Sequence, residues 1–302
     1  MIELSVIIPT FGRATALHRC LMKLSESDFP KEEFEVIVVD DGSPEPIELS
    51  VDQFQTGFNF FVLRQENAGA GAARNLGVRH SSGRYLAFID DDCLAGAGWL
   101  KAIQARLSVN PCLVVGGLTT NAPSGNVYAR VSHRLAHKDY VKYETDPSSV
   151  YFFGSNNFAL SRETFDRAGG FDERLRPAYE DRELCDRLVE EGFHLAYAPE
   201  AVVAHNRVMT LTSFFRQHMG YGRGACFYYG GTARRSRSVT FASLFRLMGE
   251  VAGESYGAGR VYAIALVILS QLAASCGMIF AALRREKQGR GGRCSSGVPI
   301  LY

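Results

Sequence analysis

The stretch YLAFIDDDCL, residues 85–94, opens with five apolar or aromatic side chains and then sets Asp90, Asp91 and Asp92 in succession. An apolar run of that length reads as a strand covered on both faces. Three adjacent carboxylates at its end repel one another, and a helix start or turn accounts for one Asp, at most two. A divalent cation reverses the balance. Mg²⁺ and Mn²⁺ take hard oxygen ligands, and Mg²⁺ commonly binds one or two carboxylates plus substrate phosphates. Alternate residues of an extended segment point the same way, so Asp90 and Asp92 are expected to face one site.

Working outward, LSVIIPT (4–10), FEVIVVDDG (34–42) and FNFFVLRQ (58–65) are equally continuous in hydrophobicity. Between the strands, Ala14, Leu17, Leu21 and Leu24 keep helical spacing, as do Trp99, Ile103 and Leu107. Strand alternating with helix predicts an α/β fold with a mostly parallel sheet and right-handed crossovers. Ligands of such sheets bind beyond the carboxyl ends of the strands. That is where Thr10-Phe11-Gly12-Arg13, Asp40-Asp41-Gly42-Ser43 and the acidic triplet fall. Past residue 110 the pattern loosens. LVVGGLTT (113–120) and FFGSNNFAL (152–160) read as strands, 121–150 as a long polar loop, and FHLAYAPEAVVAHN (193–206) as a strand pair. A helix is expected from about 180 to 191, stopped by Gly192.

Composition excludes more than it assigns. The 302 residues carry 33 basic and 32 acidic side chains, a balance that gives no electrostatic reason to expect nucleic acid. The seven cysteines form no CxxC pair, which favours a reducing cytosol over a zinc or disulfide frame. MIELSVIIPT has no basic n-region and reads as a first strand. QENAGAGAARN (65–75) imitates a dinucleotide fingerprint and raises an NAD-type oxidoreductase as an alternative. However, Arg74 stands at the third glycine, and the motif follows the third strand rather than the first.

In order, SVIIPTFGR, VIVVDDGS, NAGAGAARNLG, YLAFIDDD, GSNNFALSR, GGFDE, EDRELCDRL and AVVAH resemble the family 2 glycosyltransferases of the GT-A (Rossmann-like) fold, over roughly residues 3–207. The resemblance implies inverting transfer of a sugar from a nucleotide-diphosphate donor, UDP-sugar first, to an acceptor hydroxyl in glycan or glycolipid synthesis. Pro9, Thr10, Phe11 and Arg13 would form the base pocket, with Phe11 stacking on the base. Asp40 would accept a hydrogen bond from the base, Asp41 would support the ribose, and Arg74 would reach toward the nucleotide. Asp90, Asp91 and Asp92 occupy the DxD position, Asp92 being the first candidate to ligate Mg²⁺ or Mn²⁺, with Asp90 beside it. His205 sometimes completes such a shell; the alternative is a packed histidine. Asn156 and Asn157 would align donor sugar and acceptor. Asp181 would be the general base, with Glu180 as runner-up and a plain helix-start acid as the structural alternative. The QxxRW motif of processive synthases is missing from FFRQHMGYGRGACFYY (214–229), so the resemblance is to bacterial-type non-processive members. A non-catalytic sugar-nucleotide or glycan-binding module on this fold is the third reading.

These observations divide the chain into a catalytic domain over 1–209 and a helical C-terminal region over 210–302. Residues 261–283 form an apolar run long enough, at ~1.5 Å per residue, to cross a ~30 Å hydrocarbon core. Arg284, Arg285, Lys287, Arg290 and Arg293 follow it. One full crossing would separate these arginines from a cytoplasmic catalytic domain, against the positive-inside tendency. The expectation is a helix in the cytosolic leaflet at the inner face of the membrane, with 239–253 as amphipathic companion and a lipid-linked acceptor in reach. A buried helix or a homodimer contact is the alternative.

Overall fold

The computed structural model describes residues 1–47, 57–122, 125–137, 143, 146, 149–231, 248–249, 253 and 258–290. Strands β1 (Leu4–Thr10) and β2 (Phe34–Asp40) are buried at every position, as strands lying between two helical layers must be. With β3 (Asn59–Arg64), β4 (Tyr85–Phe88), β5 (Cys93–Ala95), β6 (Leu113–Asn121), β7 (Phe158–Ser161) and β8 (His194–His205) they form one sheet ordered β3-β2-β1-β4-β7-β6-β8-β5. The pairings β1–β2, β1–β4, β2–β3 and β6–β8 are parallel; β4–β7, β6–β7 and β5–β8 are antiparallel.

The period of two divides the strands between two cores. Val6, Ile8, Val36 and Val38 meet Leu17, Leu21 and Leu24 of α1 (Ala14–Ser25) and Leu100, Ile103 and Leu107 of α3 (Trp99–Val109). Ile7, Ile37, Val39 and Phe88 meet Ala73 and Val78 of α2 (Ala70–Arg79), Phe165 of α5 (Arg162–Ala168), and Leu184 and Leu188 of α6 (Glu180–Glu190). A third, smaller core joins α4 (Val127–His137), α7 (Leu211–Gly231) and α8 (Ala258–Arg290) through Ala129, Val131, Phe214, Leu266 and Val267.

Four expectations change. β3 is an edge strand with Phe61 and Val62 exposed, because α2 packs on β1 and β2 instead. The 121–150 loop contains α4. Asn126 caps it by accepting from the Ala129 N–H (2.8 Å), and its apolar positions are diluted by His and Arg. Of FFGSNNFAL only Phe158–Leu160 are in a strand. The expected pair at 193–206 is one strand, β8. Its register against β6 jumps between Gly117↔Ala198 and Leu118↔Val202, so residues 199–201 bulge. Of the stretch 239–253 only 248–249 and 253 lie within the described residues, and Arg293 lies outside them.

Helix α7 is held on two sides. A Cβ on Gly222 would overlap the Ala274 carbonyl oxygen, and one on Gly277 the Met219 oxygen, so the absent side chains let α7 and α8 cross backbone to backbone. On its other side, a Cβ on Gly224 would stand 2.6 Å from the Ala178 oxygen. The Tyr179 ring lies 5.3 Å from Tyr228 and 6.1 Å from Tyr229. Tyr179 takes a left-handed φ of 81° immediately before α6, a conformation that a side chain adopts only when its surroundings hold it.

Candidate active site

The carboxyl ends of β1, β2 and β4 meet at one edge. Thr10 is in register with Asp40, and β4 lies on the other side of β1. Pro9 sits inside β1 opposite Val39, while Phe11 projects at the rim, 43% exposed. The Gly12 N–H donates to Ser43 Oγ (2.7 Å), joining the first two loops. Asp40 accepts from the Ser43 N–H (2.9 Å) and the Ile47 N–H (3.4 Å) and pairs with Arg64. Burial pushes its carboxyl up, but the bonds from Ser43 and Ile47 and the Arg64 charge outweigh burial and hold it below the ordinary range. Asp41 accepts from Gln65 Nε2 (2.7 Å) and from the N–H groups of Ala68 (2.7 Å) and Gly69 (2.9 Å), fastening the turn that opens α2.

The acidic triplet does not continue as extended chain. The Cys93 N–H donates to the Asp90 carbonyl (3.0 Å), so residues 90–93 make a turn between β4 and β5. Strand alternation therefore gives no reason for Asp90 and Asp92 to share a site, and each has its own partners. Asp90 accepts from Arg74 Nη2 (2.7 Å). Asp91, fully buried, accepts from Thr10 Oγ1 (2.6 Å) and Arg13 Nε (3.1 Å), with Arg13 Nη2 2.7 Å from its other oxygen. Burial nevertheless raises the Asp91 carboxyl to about 7 against the Arg13 charge. Asp92 Oδ2 accepts from Arg13 Nη1 (2.7 Å) and lies 3.9 Å from Arg207 Nε, while Oδ1 faces His205 Nε2 at 3.2 Å. Burial again pushes upward, but His205, Arg13 and Arg207 together hold Asp92 well below the usual carboxylate range.

Glu180 and Asp181 begin α6, whose Leu184, Cys185 and Leu188 are buried below them. Asp181 Oδ1 accepts from the Arg182 N–H (2.8 Å) and Oδ2 from the Ser155 N–H (3.3 Å). Burial raises its carboxyl above the ordinary value, with Arg74 opposing. Burial and then the Asp181 charge raise Glu180 to about 7. Arg74, 3% exposed, donates to Asp90 and, through Nη1, to Glu180 (2.9 Å). Removing one partner of such a buried pair costs about 3–5 kcal/mol, so a single buried guanidinium fixes the strand-end cluster to the start of α6. The positions Gly154, Asn156 and Asp181 converge: a Cβ on Gly154 would lie 2.7 Å from Asn156 Oδ1 and 3.9 Å from Asp181 Oδ2. Asn157 turns inward instead, accepting from Trp99 Nε1 (2.9 Å) and donating to the carbonyls of Leu118 (3.1 Å) and Ala201 (2.9 Å).

Among the described residues one group has metal-ligand character: Asp92, Cys93 and His205, whose ligand atoms lie within 4.8 Å of one another. β5–β8 pairing sets Cys93 opposite His205. The carboxylate fits Mn²⁺ or Mg²⁺ chemistry, the imidazole suits Mn²⁺ less well than a carboxylate does, and the thiol does not suit a hard cation; burial pushes the thiol far above its normal range. Sequence reasoning missed Arg64 and Arg207. Arg64 ends β3 in register with Asp40, a strand-end signal like those of the neighbouring strands. Arg207 lies two residues past the β8 histidine and carried no signal of its own.

The model of "Glycosyl transferase family 2" matches residues 5–169, more than half of the chain and ending before Asp181. The chain is 28% identical to the glycosyltransferase AglE of Haloferax volcanii over 204 residues, 67% of this chain and 66% of that protein. It is 30% identical to the pre-mycofactocin glycosyltransferase of Mycobacterium tuberculosis over 228 residues, 74% of this chain and 47% of that one. These matches thus cover less than two thirds of either relative's length. Among solved structures, the fold is similar to that of the mannosyltransferase PcManGT from Pyrobaculum calidifontis in complex with GDP-Man and Mn²⁺. The TM-score is 0.65 at 16% identity, covering 95% of this chain and 87% of that one.

Proposed function

The chain belongs to glycosyl transferase family 2, and on that footing we propose that it transfers a sugar from a nucleoside-diphosphate donor to an acceptor hydroxyl with inversion, Asp181 being the general base. One observation carries the reading: buried Arg74 ties Asp90 of the acidic turn to Glu180, beside Asp181, and so makes two distant segments one site. Asp181 takes the acceptor hydroxyl's proton as that oxygen forms its bond to the anomeric carbon. The bond from that carbon to the diphosphate breaks, and its electron pair leaves with the phosphate. Burial raises the base's proton affinity, while its place at a helix N-terminus favours the ionised form. Asn156, which converges with Asp181 on Gly154, would line up the reacting groups. Phe11 and Arg13 at the rim, with buried Thr10 and Pro9 behind them, would bound the nucleotide pocket, whose floor Asp40, Asp41 and Arg64 hold in shape. Bound Mg²⁺ or Mn²⁺, held by Asp92 and His205 with Asp90 nearby, would offset the charge of the departing diphosphate in place of a general acid.

UDP-sugars are the first donors to test. The experiment is a screen of nucleotide sugars for Mn²⁺-dependent release of the nucleoside diphosphate, with and without polyprenyl-phosphate-linked sugar acceptors. Metal-dependent turnover of one donor supports the reading, and inertness with every donor refutes it. The dinucleotide alternative fares poorly, since Arg74, at the third glycine, is the buried bridge itself. A non-catalytic module would leave Asp181→Asn without any measurable effect.

The proposed division at 209/210 leaves α7 and α8 as a helical C-terminal region. Gly259–Arg284 is long and apolar enough to cross a membrane, with a third of its most apolar stretch buried. Its buried face is taken by α7 and α4, while Val261, Ile268, Leu272, Ile279 and Leu283 form an exposed stripe. A helix packed along its length on the protein lies better in the cytosolic leaflet than across the bilayer. Co-sedimentation with phosphatidylglycerol vesicles is expected, and Leu272→Glu with Ile279→Glu should abolish it. Undiminished binding by that double variant would exclude the stripe as the contact.

A further inference from the structure

Of the three arginines that face the acidic turn, Arg74 and Arg13 pair with it at hydrogen-bond distance, and they differ in exposure. Arg74 is enclosed between Asp90 and Glu180 and 3% exposed. Arg13 has a 41% exposed side chain, spans Asp91 and Asp92, and belongs to the exposed segment Phe11–Arg13. The neighbouring Gly12 has nothing within 4 Å of where a Cβ would be, and Arg13 makes no side-chain cap to α1. The Arg13 guanidinium is therefore open to solvent where that of Arg74 is enclosed. Asp91 keeps its bond from Thr10 Oγ1 (2.6 Å) whether or not Arg13 stays. Asp92 differs, because its Oδ2 has Arg13 Nη1 at 2.7 Å as its near partner, with Arg207 at 3.9 Å.

A divalent cation held by Asp92 would stand beside that guanidinium, like charge against like in a buried setting where repulsion is weakly screened. Arg13 holds Oδ2 and His205 faces Oδ1 of that carboxylate, so a metal on Asp92 beside His205 would share the carboxylate's charge with Arg13. The diphosphate of a donor changes that balance, since a phosphate oxygen matches the guanidinium fork as well as a carboxylate does. We infer that Arg13 is a resident counter-cation of Asp92 that yields its place to the metal when a diphosphate is present to receive it, so that Arg13 couples metal binding to nucleotide binding. The inference rests on the metal–diphosphate reading proposed above, and goes beyond it in assigning the order of charge exchange to one residue.

The test titrates Mn²⁺, followed by the electron paramagnetic resonance of the free ion, with and without saturating UDP. In the parent, Mn²⁺ alone should bind weakly and UDP should strengthen binding. Arg13→Gln should bind Mn²⁺ alone roughly tenfold more tightly, and the strengthening by UDP should shrink by a similar factor, because with UDP present Arg13 has already left Asp92 and the metal's affinity stays as in the parent; by linkage, Mn²⁺ should strengthen UDP binding by the same reduced factor. Arg13→Lys should shift the same way by less, since one ammonium cannot span two carboxylates, and it serves if the glutamine variant does not fold. An equal gain with and without UDP would reveal mere loss of positive charge and overturn the inference, as would no gain at all. A parent that binds Mn²⁺ neither alone nor with UDP would overturn the metal reading together with it. A parent that binds Mn²⁺ with UDP, beside variants that change nothing, would overturn the role of Arg13 alone.

Discussion

Asp181→Asn is expected to lower kcat by about 10²–10⁴-fold, the usual contribution of a general base, while UDP with Mn²⁺ binds as in the parent. The amide oxygen can still accept from the Arg182 or Ser155 N–H, so the variant removes proton affinity and little of the local structure. The parent's pH profile makes the same point without mutation. Burial raises the Asp181 carboxyl, and Glu180 beside it reaches about 7. A base must be unprotonated to act, so kcat should fall as the pH is lowered, with a midpoint clearly above the ~4 of an ordinary carboxylate. The midpoint belongs to the pair rather than to either residue. Full transfer by Asp181→Asn, or an acid limb near pH 4, would remove Asp181 from the role. A Glu180→Gln loss with an intact Asp181→Asn would hand the role to its neighbour.

Asp92→Asn is the second large effect. The substitution keeps the shape and deletes the charge that Arg13, His205 and Arg207 face. Loss of the metal's share of transition-state stabilisation, several kcal/mol, corresponds to on the order of 10²–10³-fold in rate. Mn²⁺-dependent UDP binding, measured by calorimetry, should disappear with it, and unchanged binding would break the metal assignment. Stability moves as well. The native Asp92 carboxyl is depressed, so its pairing stabilises the fold above the unfolded-state value near 4 and is lost as pH falls below it. The variant should accordingly melt lower than the parent at neutral pH, and binding is best measured well below that transition.

The architecture was legible where one period governed a segment. β1 and β2 are continuous apolar runs, and residues 180–191 keep helical spacing that the structure realises as Glu180–Glu190. The strand-end rule gathers Thr10, Asp40 and the acidic triplet to one edge from the sequence alone. What stayed hidden was tertiary. Nothing local to Arg74 says that its guanidinium will join residues 90 and 180, and a fingerprint-like context pointed elsewhere. The turn at 90–93 depends on one backbone hydrogen bond and on β5, a strand of three residues that exists because β8 pairs with it. α4 was concealed because His133, Arg134 and His137 dilute its apolar positions, and its packing partners lie in α7 and α8, over eighty residues later.

The close crossing at Gly222 and Gly277 has a practical consequence for dissecting the chain. Because α7 also carries the ring contacts that hold Tyr179 in its left-handed conformation, a truncation at residue 209 would take away the wall on which the loop before Asp181 leans. The shortened protein could retain the sheet, the acidic turn and affinity for a nucleotide, yet lose chemistry. Inactivity of such a fragment would therefore report a displaced loop and says nothing about whether lipid is required. To separate the two, the stripe of α8 must be altered from the outside, with both glycine contacts left in place.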